Sequence, residues 1–241
     1  MASQTDTNKL LKAAVNLLPK AEQKDALRFA QRIFGAALDE DLLEQSPQCL
    51  SEVIASARAA LDKAPRDVLA VDALSDDKTL VTVTMSNRPF IVDSVLGELN
   101  NHRLDVELVT HPVTETQPGL MTSLVLVVMT GSRPATRKAI KSELKNVLQQ
   151  VRLVTDDWRP MLLRVDEEME TFRTTPPPLP AERIAEAVQF LQWLTNNNFT
   201  FMGLREYSYK GTRQKGELKP VPGSALGILR DDNLSVEVVP R

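Results

Sequence analysis

The sequence predicts an α+β protein in which helices come first and a small antiparallel sheet follows. Three observations support this prediction. Apolar residues recur at helical spacing over the first 65 residues, and they alternate with polar residues at Val81–Met85, as in a half-buried strand. A nearly all-apolar run, Met121–Met129, then predicts a strand at the centre of a sheet.

The N-terminal helices are marked by apolar stripes and by residues that suit helix ends. Residues 7–18 form a weak helical pattern, and a stronger one covers residues 26–34, with a glycine after it as a C-terminal stop. Ser46 and Pro47 suit the N-cap and the first turn of a further helix, which ends at Pro65. The first 65 residues are therefore expected to be helical.

The central part of the chain predicts the order strand, helix, strand, strand, helix. After the first strand a helix begins near Pro89, and a second strand covers Leu104–Val113. A turn at Thr114–Gly119 leads to the all-apolar third strand, and another helix opens near Ser132. This is the ferredoxin-like βαββα arrangement, which normally closes with a fourth strand.

The fourth strand has two candidates in the sequence. Val151–Val154 is apolar enough for a strand, but the helical period continues beyond it, which favours one long helix broken near Thr155–Pro160. Asp67–Ala73 is the alternative, because a strand there would complete the edge of the sheet.

A proline-rich linker follows the central part. Four of the seven residues of Thr174–Pro180 are proline, which predicts an extended spacer. A helix, a strand at Phe199–Tyr209 and short strands at Ala225–Leu229 and Leu234–Val239 come next, as in an unfinished second α+β domain. The predicted domains are a helical segment at 1–65, a sheet domain with a C-terminal helical extension at 66–173, the linker at 174–180 and the second domain at 181–241.

Composition excludes several classes of protein. The formal net charge is −3 and the sequence has no long basic run, so it provides no field that would attract nucleic acid. Cys49 is the single cysteine, which excludes an intramolecular disulfide and a thiolate zinc site. The N-terminus is a poor signal peptide, and no apolar run approaches the roughly 20 residues of a membrane span. We therefore expect a cytoplasmic protein with no nucleic-acid or membrane partner.

The sequence contains none of the common catalytic or cofactor motifs. G-x-G-x-x-G, the P-loop and G-x-S-x-G are absent, so no catalytic, cofactor-binding or metal-binding residue is predicted. His102 and His111 would need carboxylates beside them to hold a metal, and structural or solvent roles are expected. Solvated faces account for Asp41, Asp156 and Asp157.

Core, interface or interdomain packing is expected for the aromatic residues of the C-terminal part, which are Trp158, Trp193, Phe199, Phe201, Tyr207 and Tyr209.

The turn before the central helix is the best candidate for binding a small molecule. Ser86, Asn87 and Arg88 precede that helix, and helix N-termini attract carboxylates and phosphates. The Arg88 guanidinium has the geometry to bind a carboxylate through two hydrogen bonds. Asp93 lies in the first turn, where its carboxylate either compensates the helix dipole or meets an ammonium group.

Several segments resemble the large NAD-specific glutamate dehydrogenases of bacteria. Arg88–Val95 (RPFIVDSV) is close to that family's M-P-F-L-V-D-S-V stretch, and Leu108–Val113 (LVTHPV) is similar to its strand ending in H-P-V. Glu186–Tyr207 (EAVQFLQWLTNNNFTFMGLREY) matches a family segment almost word for word, and Leu226–Arg230 (LGILR) is a further match. The order of these segments over residues 80–230 makes the resemblance specific, and the N-terminal helices add little.

The resemblance implies the N-terminal, non-catalytic region of a very long, homo-oligomeric enzyme. That enzyme would convert L-glutamate to 2-oxoglutarate with NAD in a domain far downstream, and this chain alone would be inactive. The family's N-terminal region resembles amino-acid-sensing ACT modules and PAS-like sensory domains. The sheet domain is therefore expected to be ACT-like, and the second domain PAS-like or ACT-like. The implied partners are the rest of the enzyme chain, further copies of it and an amino-acid effector.

One turn departs from the usual ACT pattern, which has Asp and then Pro-Gly between its first strand and first helix. Here those positions hold Asn87, Pro89 and Phe90. The usual glycine lets a ligand's backbone come close, whereas Phe90 would fill that space and favour a packing role. Two alternatives to a regulatory and assembly segment stay open: a free-standing amino-acid sensor, and a structural oligomerisation module.

Overall fold

The computed structural model describes residues 4–212 and 215–231. The chain divides into two compact units, residues 1–148 and residues 149–241. Within the described ranges, no helix is both long and apolar enough to cross a membrane. The predicted domain boundaries stay predictions.

Four helices open the first unit. They are α1 (Gln4–Leu17), α2 (Ala26–Ile33), α3 (Asp39–Leu43) and α4 (Pro47–Leu61). The prediction for the start of α4 is confirmed, because the Ser46 hydroxyl oxygen accepts a hydrogen bond of 3.0 Å from the Cys49 N–H and Pro47 occupies the first turn. Cys49 itself is buried, and burial raises the pKa of its thiol from 9.0 to about 11. The thiol is therefore neutral at neutral pH and acts as a core residue.

An antiparallel sheet follows, built from β1 (Val68–Leu74), β2 (Lys78–Ser86), β3 (Val106–Thr110), β4 (Val113–Gln117) and β5 (Leu120–Thr130). The strand order is β1-β2-β5-β3, and β4 pairs with β5 beyond the end of β3. Helix α5 (Ile91–Asn100) connects β2 to β3, and α6 (Pro134–Thr174) follows β5. The predicted α+β class with a ferredoxin-like βαββα unit is confirmed.

The strand that completes the βαββα unit is β1, which precedes the other four strands in the chain. β1 pairs antiparallel with β2 from Val68 to Leu74, so the alternative at Asp67–Ala73 supplies the sheet edge. Val151–Val154 lies inside α6 and is helical. The helix is continuous, so the expected break near Thr155–Pro160 is wrong. A proline removes one backbone hydrogen bond, but the buried stripe of Val154, Met161 and Val165 continues in phase on both sides of Pro160.

Both faces of the sheet are buried. Leu80, Leu124 and Leu126 on one face belong to the same apolar core as α1 and α4. Val81 and Val127 lie on the opposite face and are also buried. The buried apolar residues of α5 and of the first part of α6 do not belong to the first core, so we infer that they cover this second face: Ile91, Val95, Leu99, Ile140 and Leu144. Burial on two sides explains why β5 has an uninterrupted apolar run, and its predicted central place is confirmed.

The predicted turn at Thr114–Gly119 is wrong over most of its length. Residues up to Gln117 form β4, and the chain reverses at Pro118 and Gly119, where Gly119 has a φ of 78°. The alternation of threonines with Glu115 and Gln117 is a strand pattern, but its polar residues suggested a loop.

The described residues of the second unit form the later part of α6, α7 (Ala181–Trp193) and four short strands. β6 (Gly203–Leu204) pairs with β9 (Leu226–Gly227), and β7 (Tyr207–Thr212) forms a hairpin with β8 (Lys215–Pro220). The single strand predicted at Phe199–Tyr209 is therefore two separate strands in different sheets. The strand predicted at Leu234–Val239 lies outside the described residues.

Candidate functional site

The predicted effector-binding turn joins β2 to α5 and is held to the neighbouring strand β5. The Asn87 N–H donates a hydrogen bond of 2.8 Å to the Met121 carbonyl oxygen. The Ser123 hydroxyl donates to Asn87 Oδ1 at 2.7 Å. Ser86 is still part of β2, where it pairs with Thr122. The asparagine side chain thus fixes the shape of the turn.

The charged residues of this turn differ in exposure. Arg88 is half-buried, whereas Asp93 is exposed in the first turn of α5. The structure therefore brings Ser86, Asn87, Arg88 and Asp93 to one end of α5. Their predicted role in binding an effector stays a prediction.

Phe90, the N-cap of α5, has a left-handed backbone conformation with a φ of 70° and a ψ of 2°. This is the position at which the usual ACT pattern has glycine, and the backbone here adopts a conformation that glycine favours. The Phe90 side chain is 42% exposed, so the ring is not part of the core.

Replacing Phe90 with glycine is expected to give a more stable protein than replacing it with alanine, by about 1 kcal/mol in free energy of unfolding. Both variants lose the ring, but only alanine keeps the left-handed strain. Urea unfolding of the two variants measures the difference. The matched pair is Asp93→Gly and Asp93→Ala in the regular first turn of α5, where alanine should be the more stable by about 1 kcal/mol. If alanine were more stable than glycine at both positions, the left-handed conformation of residue 90 would not favour glycine.

Several concave sites lie away from this turn, and two of them are a groove in the first unit and a cavity in the second. A groove of about 330 Å³ is lined by α2, α4 and residues 114–116, and the guanidinium groups of Arg32 and Arg58 lie 5.5 and 5.2 Å from the Phe29 ring centroid there. A cavity of about 250 Å³ in the second unit is lined mainly by α6 and α7. Arg164 contacts Glu206 at its rim.

The two histidines have different surroundings. His111 is half-buried, and burial lowers the pKa of its imidazole, which favours the neutral form. His102 lies beside two carboxylates, Glu98 and Glu143. The sequence alone does not predict this cluster. Glu98 and His102 are close together in the sequence, but nothing in the sequence brings Glu143 next to them.

Asp157, in the later part of α6, is buried and forms an ion pair with the half-exposed Arg230 within the second unit. Its side chain is 8% exposed, and Oδ2 lies 2.6 Å from Arg230 Nε. Arg230 Nη2 donates to Oδ1 at 2.8 Å, and the Gly227 N–H donates to Oδ2 at 2.8 Å. The prediction that a solvated face accounts for Asp157 is wrong. The carboxylate instead fixes the Leu226–Arg230 segment to α6.

Phe190, Trp193 and Phe199 form an exposed cluster, termed here the aromatic patch. The ring centroids of Phe190 and Trp193 are 6.2 Å apart and stacked, and those of Trp193 and Phe199 are 6.2 Å apart and tilted. The three side chains are between 49% and 63% exposed, and Trp158, outside the patch, is 48% exposed. Tyr207 and Tyr209 are also exposed, so the prediction of a core role is wrong for Trp158, Trp193, Phe199 and these two tyrosines. Interface packing stays a prediction.

The described strands do not fit a dinucleotide. Every strand pair in the described ranges is antiparallel. Nicotinamide dinucleotides bind at the carboxyl ends of parallel strands, on a glycine-rich turn that opens a helix. The turn that opens α5 carries Pro89 and Phe90 instead. No step that uses NAD can be assigned to these residues.

The family model and the similar proteins all point to the NAD-specific glutamate dehydrogenases. Residues 29–144 match the family model described as glutamate dehydrogenase, ACT1 domain. An NAD-specific glutamate dehydrogenase of Halomonas elongata is 32% identical over 175 residues, which is 64% of this chain and 11% of that protein. An NAD-specific glutamate dehydrogenase of Pseudomonas aeruginosa is 25% identical over 230 residues, which is 84% of this chain and 14% of that protein. The chain thus spans far less than two thirds of either relative.

Proposed function

We propose that this chain, which carries the ACT1 domain of the NAD-specific glutamate dehydrogenases, is a regulatory segment of such an enzyme. The observation that supports this most is the match of residues 29–144 to that domain, over a sheet with the ferredoxin-like strand order. The antiparallel sheet has neither the parallel strands nor the glycine-rich turn on which nicotinamide dinucleotides bind, which supports a non-catalytic role for this segment.

The reaction itself is proposed for a longer protein of which this segment would be a part. That protein would oxidatively deaminate L-glutamate to 2-oxoglutarate and would use NAD, as the names of the two relatives suggest. The NAD site would lie in another domain, because the residues described here do not fit it. The 241-residue chain alone is expected to be inactive.

An amino-acid effector would act at the β2–α5 turn. Helix N-termini attract carboxylates, and Arg88 and Asp93 carry the charges that would complement a zwitterion. The hydrogen bonds of Asn87 to β5 would transmit a change in this turn to the central strand of the sheet.

Assembly is the second part of the proposed function. The aromatic patch supports it, because aromatic residues are enriched at the centres of protein interfaces. Its occupant would be another part of the enzyme, either within the same chain or in a further copy of a homo-oligomer.

The experiment that tests regulation is a thermal-unfolding screen of the 241-residue chain against the twenty amino acids, 2-oxoglutarate and NAD. We expect the melting temperature to rise with one amino acid and not with NAD. The rise should disappear in Arg88→Ala, with the fold checked by circular dichroism. A failure of every amino acid to raise the melting temperature would remove the effector proposal and leave assembly as the function. Turnover of glutamate with NAD by this chain would overturn the non-catalytic assignment.

The assembly proposal is tested on the same protein by sedimentation. Trp193→Gln should reduce any concentration-dependent association, whereas Trp158→Gln, which changes an equally exposed tryptophan outside the patch, should not. Equal effects of the two substitutions would contradict a role for the patch.

A further inference from the structure

Glu98 lies in the last turn of α5, and His102 lies two residues beyond the end of that helix. A tight turn follows Asn100, in which the Asn101 N–H donates to the Glu98 carbonyl oxygen at 3.1 Å and the His102 N–H donates to the Leu99 carbonyl oxygen at 3.0 Å. Each of these hydrogen bonds reaches back three residues, and the turn leaves ligand atoms of Glu98 and His102 close together. Leu99, between them in the sequence, is fully buried, whereas Glu98 and His102 are half-buried and therefore lie at the edge of the core.

Glu143 joins this pair from α6. It lies next to the buried Leu144, on a helix whose apolar face is fixed in the core, while its own side chain is 48% exposed. One ligand atom from each of Glu98, His102 and Glu143 lies within 4.8 Å of the others. All three residues belong to the first unit.

The contact between His102 and Glu143 is too short for two acceptor atoms with nothing between them. His102 Nε2 is 2.6 Å from Glu143 Oε2, and two atoms with lone pairs approach this closely only when a proton or a metal ion lies between them. Nε2 is buried, yet within the described residues the contact does not have the geometry of a hydrogen bond. A proton prefers a line between its donor and acceptor, whereas a metal ion binds several ligands at wide angles.

We propose that Glu98, His102 and Glu143 bind a divalent cation of the zinc class, which ties the end of α5 to α6. One imidazole nitrogen with two carboxylate oxygens suits Zn²⁺, whereas Mg²⁺ and Ca²⁺ prefer oxygen ligands alone. Bond lengths of about 2.1 Å would move His102 Nε2 and Glu143 Oε2 to roughly 3.4 Å apart in a tetrahedral site. The exposed Glu143 side chain can make this movement, and water would fill the fourth position.

The site would stabilise the ACT1 domain without taking part in the dehydrogenase reaction. α5 and α6 cover the same face of the sheet, and a metal ion between them would hold the two helices together. This is independent of the proposed regulatory function, because zinc uptake can be measured whether or not an amino acid binds.

The test is calorimetric titration of the 241-residue chain with ZnCl₂ after removal of metals by chelation. We expect one equivalent of Zn²⁺ to bind, Zn²⁺ to raise the melting temperature, and Co²⁺ to give the visible absorption of a tetrahedral site. Glu143→Gln should weaken binding by roughly tenfold or more, and His102→Gln should do the same. His111→Gln, which changes the other histidine, should leave the affinity unchanged.

Two outcomes would overturn the proposal. One is the absence of zinc uptake by the chain, which would leave His102 and Glu143 as an ion pair between helices. The other is zinc binding of equal affinity in the wild type and in Glu143→Gln, which would place the zinc elsewhere. Glu143 is exposed, so its substitution is expected to preserve the fold and keeps the test decisive if His102→Gln does not fold.

Discussion

Replacing Asp157 with alanine is expected to detach the Leu226–Arg230 segment from α6 and to lower the stability of the second unit by about 2–3 kcal/mol. The substitution leaves the Gly227 N–H without its acceptor and Arg230 without its counter-ion. Breaking a fully buried pair costs about 3–5 kcal/mol, and the effect is smaller here because the Arg230 side chain is 49% exposed. Hydrogen exchange at the Gly227 amide and urea unfolding both measure the loss.

Two further substitutions separate the charge of Asp157 from its hydrogen bonds. Asp157→Asn keeps a carbonyl oxygen for the Gly227 N–H but removes the charge that Arg230 contacts, so an intermediate loss is expected. Asp166→Asn changes an exposed aspartate on the same helix and should alter stability by no more than about 0.5 kcal/mol. If Asp157→Ala were as stable as Asp166→Asn, the ion pair would not hold the segment.

The sequence predicts those strands well whose burial gives them a clear pattern of apolar residues. β5 reads as central because strands buried on both faces lose their alternation, and β5 lies between β2 and β3. The edge strand β1 was predicted only as an alternative. Its residues are at most partly buried apart from Leu74, so the apolar signal of Val68–Leu74 is weak.

The candidate sites are harder to predict because their residues meet through the fold. Asp157 and Arg230 are 73 residues apart, and an aspartate beside another aspartate on a helix has the pattern of a solvated face. The Glu98–His102 spacing is visible in the sequence, but Glu143 reaches it only because α5 and α6 cover one face of the sheet. The β2–α5 turn was located correctly, since strand and helix patterns meet there.

Gly131 marks a second position at which a small change is expected to have a large effect. It follows β5 directly, where the chain passes the turn between β1 and β2. A Cβ atom at this position would lie 2.3 Å from the carbonyl oxygen of Asp77 and 2.5 Å from its Oδ1. The nearest atom belongs to the backbone, and Asp77 already has a left-handed conformation with a φ of 52°. The turn therefore has little freedom to move away.

Gly131→Ala is accordingly expected to lower the free energy of unfolding by about 2–3 kcal/mol, as overpacking against a fixed backbone does. Gly97→Ala is the matched control, because Gly97 is exposed in α5 and a Cβ there meets nothing within 4 Å. Alanine should stabilise that helix by about 0.5–1 kcal/mol, so the same substitution should have opposite signs at the two sites. Urea unfolding of both variants measures this. If Gly131→Ala left the free energy of unfolding unchanged, the β1–β2 turn could move away from the end of β5, and the close packing of Asp77 on Gly131 would not contribute to stability.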